Sequence, residues 1–310
     1  MSANVESMFS VREKPWHGLG TIVMEAPTSA DALRLAGLDW MVVQEPVYTG
    51  CKEIVKGYKA NVRSSDRKVL GVVSDRYKVV QNTDAFSFTD ELLGKGVRYE
   101  TAGSLQEGKK VWLLARLPKE YVIAGERISP YLVFSNTHDG SGSVKVAVTP
   151  VRVVCNNTLN LALNTAKRSF SMIHAGNIHD KIQEEKDTLF MAERYMDSFS
   201  IEFEQLRRQK MTDAQVKEYI ELLLPMEEEA TPIQSRNTVK LRRDMERRYY
   251  DAPDLQKVGN NAYRFVNAVS DFATHSSPLR KTANYNENLF ARTIDGNPLI
   301  DKAYQFVKAA

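Results

Sequence analysis

The sequence predicts an α+β fold: an antiparallel sheet of hairpins with short helices over residues 1–175, then a mainly α-helical region over 176–310. Three observations predict it. Before Gly176, short alternating runs are punctuated by clusters of Gly, Asn, Asp and Ser. After it, apolar residues recur at steps of three and four. The early runs follow one another through tight turns and not through crossover helices, which argues against a doubly wound parallel sheet.

Taken in order, Thr28-Ser29-Ala30-Asp31 supplies a cap and an acidic first turn for a helix through Leu35 that stops at Gly37. Ile54 to Val73 alternates and turns at Ser64-Ser65-Asp66-Arg67, a hairpin. Asn82-Thr83-Asp84 opens a second helix that ends at Gly94. A second strand pair flanks Gly103 to Gly108, and a third runs Tyr131 to Asn136, turns at Asp139-Gly140-Ser141-Gly142 and returns through Val144, Val146 and Val148. Beyond Gly176, Ala192, Met196, Phe199, Phe203 and Leu206 form the apolar seam of a long helix. Further helices follow over Thr212–Leu224, Thr231–Tyr250 and Asn260–Thr274, and Asn297-Pro298 starts a last one.

The chain has 310 residues, 43% hydrophobic and 26% charged, which suffices for a substantial core and excludes a disordered chain. No stretch approaches the roughly 18 uninterrupted apolar residues of a membrane span, and the N-terminus lacks the apolar core of a signal peptide, so the expected setting is cytoplasmic, with no membrane. Cys51 and Cys155 lie far apart with no CxxC spacing, consistent with a reducing compartment and with neither a disulfide framework nor a four-cysteine zinc site.

Gly103 to Lys110 satisfies the G-x4-G-K part of a phosphate-binding loop. Lys110 stands where the magnesium-binding Ser or Thr is required, and Val111-Trp112-Leu113-Leu114 continues as a strand, so the segment reads as a hairpin turn. His174 and His179 are five apart, on different helical faces, and no HExxH accompanies them. His17 has no neighbouring nucleophile, and Cys155 shares a helical face with Leu159 and Ala162 as a small buried hydrophobe. No catalytic residue, metal or cofactor is expected on these grounds.

Charge is the more informative property. The net charge is +3, yet residues up to His174 hold 22 basic against 17 acidic residues, and the remainder hold 20 against 22. The forty residues from Gly140 to His179 contain no Asp or Glu but include Lys145, Arg152, Lys167 and Arg168. An acid-free run of this length suggests an anionic neighbour. The strand Val144–Thr149 and Arg152 lead into Asn156 and Asn157, where a helix N-terminus offers free N–H groups to a phosphate. Between Lys52 and Lys78 lie eight basic residues against three acids, interleaved with Tyr58 and Tyr77; Tyr99, Trp112, Arg98, Lys109 and Lys110 follow. Basic strands carrying aromatics are suited to holding single-stranded nucleic acid.

Trp16-His17-Gly18-Leu19-Gly20-Thr21, Arg76-Tyr77-Lys78-Val79-Val80-Gln81-Asn82, Thr101-Ala102-Gly103-Ser104-Leu105, Thr149 to Leu159, and Ile173-His174-Ala175-Gly176-Asn177 form an ordered set of segments. Together they resemble the phage/plasmid-like protein family, also called domain of unknown function 932. Ala175 departs from the hydroxyl residue expected after the histidine. The resemblance implies a setting in mobile elements and no particular activity. The order of hairpins and helix with a basic final hairpin is also similar, in pattern, to the core of single-strand annealing proteins, the recombination mediators of phages and eukaryotes.

The expected function is therefore non-enzymatic: a homo-oligomeric DNA-binding protein that anneals or protects single-stranded DNA in replication or recombination. Lys145 and Arg152 are the first phosphate contacts, Arg76, Lys78, Lys109 and Lys110 the next, Asn156 and Asn157 the helix-start donors, and Tyr77 the stacking residue. Two readings of other classes stand beside it. One is an interaction module that antagonises a host defence or repair protein. The other is an enzyme acting on a phosphate-containing ligand, with His17 or His174 as acid/base.

Overall fold

A computed structural model describes residues 5–12, 20–94, 97–117, 119–123, 126–149, 169–174, 188–253, 255–276 and 297–309. The strands are β1 (Val5–Val11), β2 (Thr21–Val23), β3 (Val42–Tyr48), β4 (Ile54–Arg63), β5 (Val69–Ser74), β6 (Tyr99–Leu105), β7 (Lys110–Arg116), β8 (Tyr121–Ile123), β9 (Glu126–Ile128), β10 (Tyr131–Thr137), β11 (Val144–Thr149) and β12 (Ser169–Met172). The helices are α1 (Ser29–Leu35), α2 (Asn82–Leu93), α3 (Thr188–Arg208), α4 (Asp213–Leu223), α5 (Pro232–Asp251), α6 (Ala262–His275) and α7 (Pro298–Ala309). The fold is α+β, a β-rich region followed by helices, as the alternation and the later period of three to four predict.

The described residues fall into two compact units. One holds β1–β7, β10–β12, α1, α2 and the start of α3; the other holds the β8–β9 hairpin and the remaining helical segments. In the first unit a seven-stranded sheet has the order β12-β11-β10-β7-β6-β1-β2, and a three-stranded sheet has the order β3-β4-β5. Every pairing is antiparallel except β1 with β2. The core of the larger sheet is apolar along β7, β10 and β11, where Leu113, Leu114, Leu132, Phe134, Val144 and Val146 are buried.

β1 lies inside the larger sheet, where Ser10 pairs with Thr101 and Phe9 with Ala102 of β6. Gly103 of β6 is needed for this pairing, because a Cβ there would collide with the Ser7 carbonyl oxygen and with the Trp112 ring. The β6–β7 turn carries Gln106, Glu107 and Gly108 at φ 52°, 61° and 86°. The G-x4-G-K string is therefore a hairpin whose first glycine serves packing.

Polar contacts join the smaller sheet to the larger one. Arg63 of β4 donates through Nη1 to both Glu6 oxygens at 2.8 Å, and through Nε and Nη2 to Asp66 at 2.9 and 2.6 Å. Asn61 Nδ2 donates to the His138 carbonyl at 2.7 Å. Opposite Asn61 in β5 stands Gly71, where a Cβ would lie 2.5 Å from the Asp139 Cα, so the β10–β11 turn rests directly on the β5 backbone. At α2 the residue before the helix does more than the expected cap: Gln81 pairs through its side chain with both backbone groups of Val42, and its N–H donates to Asp84 at 2.9 Å.

In the helical unit, the apolar seam of α3 is buried at Met196, Phe199, Phe203 and Leu206, and Phe203 meets Tyr263 of α6 edge-on at 5.2 Å. Thr212 and Thr231 cap α4 and α5 with Gln215 and Gln234 as reciprocal partners. Arg264 donates to the carbonyls of Tyr249 and Tyr250 at 2.6 and 3.0 Å, satisfying the open end of α5. No helix among the described residues is long and apolar enough to cross a membrane.

Candidate nucleic-acid interface

The three-stranded sheet turns an unusual face to solvent. Alternation along β3, β4 and β5 exposes Val43, Tyr58, Val69 and Val72, and the paired residues Tyr48 and Ile54 are exposed at the far end. Tyr58 is 54% exposed and Tyr48 is 56% exposed, so both rings are open to a planar ligand. Tyr48 is a residue that sequence reasoning missed. Its signal was the alternation of β3 running up to the Thr49-Gly50 turn.

The eight basic residues between Lys52 and Lys78 separate into two groups. Arg63 holds Glu6 and Asp66, Arg67 pairs with Glu45, and Lys68 pairs with Glu107 at 2.6 Å, so these three are structural. The Arg63 guanidinium, hydrogen-bonded to it, holds the Asp66 carboxyl down at about 2. Lys52, Lys56, Lys59, Arg76 and Lys78 form no ion pair among the described residues, and all but the half-buried Lys59 are exposed.

The sequence picked Tyr77 as the stacking residue, and the structure corrects this. Tyr77 is buried; its ring lies on the His174 ring with centroids 4.3 Å apart and planes 15° apart, and its hydroxyl donates to the Thr137 carbonyl at 2.6 Å. Burial, then the charge of Asp139, raises its phenol above the ordinary value. Tyr99 and Trp112, also counted among the interleaved aromatics, are buried in the sheet. Tyr58 alone of the four presents its ring.

Tyr77 and His174 shape a cleft of about 530 Å³ bounded by Ser74, Arg76, Gly140, Ser141, Gly142, Ser143 and Ile173. Tyr58 stands opposite Ser74, one of the cleft residues, in the β4–β5 ladder and on the same face. Lys78 is tied to the same place, since its N–H donates to the His174 carbonyl at 2.8 Å and its carbonyl accepts from His174 Nδ1 at 3.0 Å. That bond fixes the proton on Nδ1 and leaves Nε2 as an acceptor, buried and without a partner in the structure. Burial lowers the affinity of His174 for a second proton, against the opposing pull of the Lys78 carbonyl.

His138 is the deeper of the two imidazoles. Its Nε2 donates to Asn82 Oδ1 at 3.0 Å, because Asn82 spends its amide on the carbonyls of Leu38 and Trp40. Burial, then repulsion from His174, pushes its pKa down to about 3, with Asp139 acting in the opposite sense. Unfolded, the ring titrates near about 6.5. The unfolded chain therefore binds the extra proton first, and the contribution of His138 is complete above that pH and lost as the pH falls toward 3. Between pH 6 and 4 the wild type should lose stability by about 1.4 kcal/mol per pH unit more steeply than a His138→Gln variant, as read from urea midpoints.

The other sequence candidates are distributed as follows. Lys109 and Lys110 are half-buried at the β6–β7 hairpin, and the Lys109 carbonyl accepts from the His138 N–H at 2.7 Å. Lys145 is half-buried within β11 of the larger sheet, opposite Ser135 of β10 and Ser171 of β12, whereas the exposed rings belong to the three-stranded sheet. Arg152, Asn156 and Asn157 lie outside the described residues, as do His17, Cys155 and His179. No group of three or more His, Cys, Asp or Glu side chains placed to hold a metal occurs among the described residues.

Fold and site together define an α+β protein that carries an exposed aromatic and basic strand surface and a small cleft. The chain matches the family described as Domain of unknown function (DUF932) over residues 69–293, more than two thirds of its length, and it belongs to that family. The match includes β5, the β10–β11 turn and His174, and so all the walls of the cleft. No curated protein and no solved structure matches the chain.

Proposed function

We propose that this protein binds single-stranded DNA through the β4–β5 surface, in the cytoplasm and as a homo-oligomer, and that it serves annealing or protection of strands during replication or recombination of a mobile element. The observation that carries the reading is Tyr58: an exposed ring on a strand whose neighbours Lys56, Lys59, Arg76 and Lys78 have no acid partner among the described residues. Cations bind the phosphates whatever the sequence, and an open aromatic ring binds a base only when that base is unstacked, which selects single strands over duplex.

A salt series with single- and double-stranded oligonucleotides tests it. Affinity for the single strand should fall with a log–log slope of about −0.7 for each phosphate engaged. Duplex should bind more weakly at every salt concentration. Absence of binding at low salt, or a slope near zero, sinks the proposal.

A further inference from the structure

The six basic residues of α5 divide by the side of the helix they occupy. Met245 and Tyr249 are its buried residues. Flanking them, Arg242 donates to the Leu224 carbonyl at 2.9 Å and pairs with Glu221 at 3.5 Å, and Arg248 pairs with Asp271 and Asp244 at 2.5 and 3.4 Å. These two hold the helix in place. The other four, Arg236, Lys240, Arg243 and Arg247, follow at steps of four, three and four, which sets them in one line on the opposite side, and all are exposed.

That line is poor in acid. Residues 232–243 contain no Asp or Glu. Lys240 and Arg243 make no hydrogen bond or ion pair among the described residues, and Arg236 reaches the Pro232 carbonyl at 3.3 Å. Arg247 does meet Asp244, at 3.1 Å, but that carboxylate also accepts from Arg248 and from the Ser276 hydroxyl. A solvated helix face ordinarily mixes both signs; four cations in line repel one another, and an anionic partner relieves that repulsion. Glu227, Glu228 and Glu229 stand exposed ahead of the helix. Lys240 and Arg243 lie about 12 and 16 Å past Pro232 along the axis, beyond the roughly 8 Å over which exposed charges act at physiological salt. The acids therefore end the positive line at its start without cancelling its middle.

The neighbours of the line decide which anion fits. It is about 16 Å long, and an equal length of DNA duplex carries about ten phosphates. Tyr250, at its end, keeps its hydroxyl on Asp213 at 2.9 Å and its ring edge-on to Tyr249, so it is not presented flat to an unstacked base. Cations without a stacking ring favour the nucleic acid with the denser backbone charge, which is the duplex.

We infer that α5 is a second nucleic-acid site, at which Arg236, Lys240, Arg243 and Arg247 hold the phosphate backbone of duplex DNA whatever its base sequence. This goes beyond the single-strand reading. α5 belongs to the helical unit and Tyr58 to the other, so either site can fail without the other.

The test is a salt series with the full chain and a duplex of about 20 base pairs. In Lys240→Gln/Arg243→Gln the log–log slope should become shallower by about 1.8, at about 0.9 for each phosphate released, and affinity at about 0.1 M salt should fall tenfold or more. The urea midpoint should not move, since neither side chain has a partner to lose. Removing the same charge from other elements, in Arg34→Gln/Arg127→Gln, should leave the slope as in wild type, and Tyr58→Ala should leave duplex affinity unchanged. An unaltered slope in the α5 variant, an equal change in Arg34→Gln/Arg127→Gln, or no duplex binding by wild type at low salt overturns the inference. A lower oligomer mass of the α5 variant in sedimentation, with the duplex slope kept, assigns the line to contact between copies and overturns it too. Loss of single-strand binding alone, with the α5 effect on duplex intact, overturns the β4–β5 reading and leaves this one standing.

Discussion

Replacing Tyr58 by alanine is expected to lower the affinity for a single-stranded oligonucleotide about tenfold without changing the denaturation midpoint. The ring is more than half exposed, so its removal takes little from the core, whereas a base stacked on it contributes about 1–3 kcal/mol. Tyr58→Phe should restore most of the affinity, because the π-face and not the hydroxyl meets the base. The salt slope should be the same in all three proteins, since no cation is removed. A fluorescence-anisotropy titration at two salt concentrations reads both quantities. An unchanged affinity for Tyr58→Ala would move the strand away from β4 altogether.

The second large effect concerns stability. Arg63→Met should cost about 2–3 kcal/mol, read from urea unfolding, less than the 3–5 of a wholly buried pair because Glu6 and Asp66 keep access to water. The residue is 6% exposed, its fork bonds two carboxylates from separate elements, and its guanidinium lies 5.5 Å from the centre of the Trp40 ring. Arg63→Lys should recover little of the loss, because a single ammonium cannot reproduce the bidentate geometry toward Asp66 and reach Glu6 as well. Oligonucleotide affinity per folded molecule should be unchanged, which separates this arginine from Arg76.

The hairpins over residues 54–74, 99–116 and 131–149 and the later helices were legible because each writes its own period and turn residues locally. β1 was not. Its VESMFSV carries Glu6 and Ser10, which read as surface residues, and only pairing with β6 and the Arg63 bond explain why they sit where they do. The same distance in sequence hid the fate of three of the eight basic residues: Arg63, Arg67 and Lys68 find acids at positions 6, 45 and 107, and no local count reveals that. Tyr77 is different. It lies between exposed Arg76 and Lys78, and that alternation marks an inward residue, so the signal was present and outweighed by composition. Burial of His174 with one nitrogen unspent had no counterpart in the sequence.

The placement of β1 also governs the order in which the molecule can be completed. Its partner strand is synthesised much later: Thr101 donates its hydroxyl to the Phe9 carbonyl across 92 residues. At the ribosome's pace of about 5–20 residues per second, the nascent strand waits roughly 5–20 s before β6 emerges. During that interval Met8, Phe9 and Val11, all buried in the finished sheet, lack the β6 side of their packing, although β2 can already pair with β1. β1 thus waits with one edge open until β6 appears, and the newborn chain must be kept from pairing that edge with another strand in the meantime.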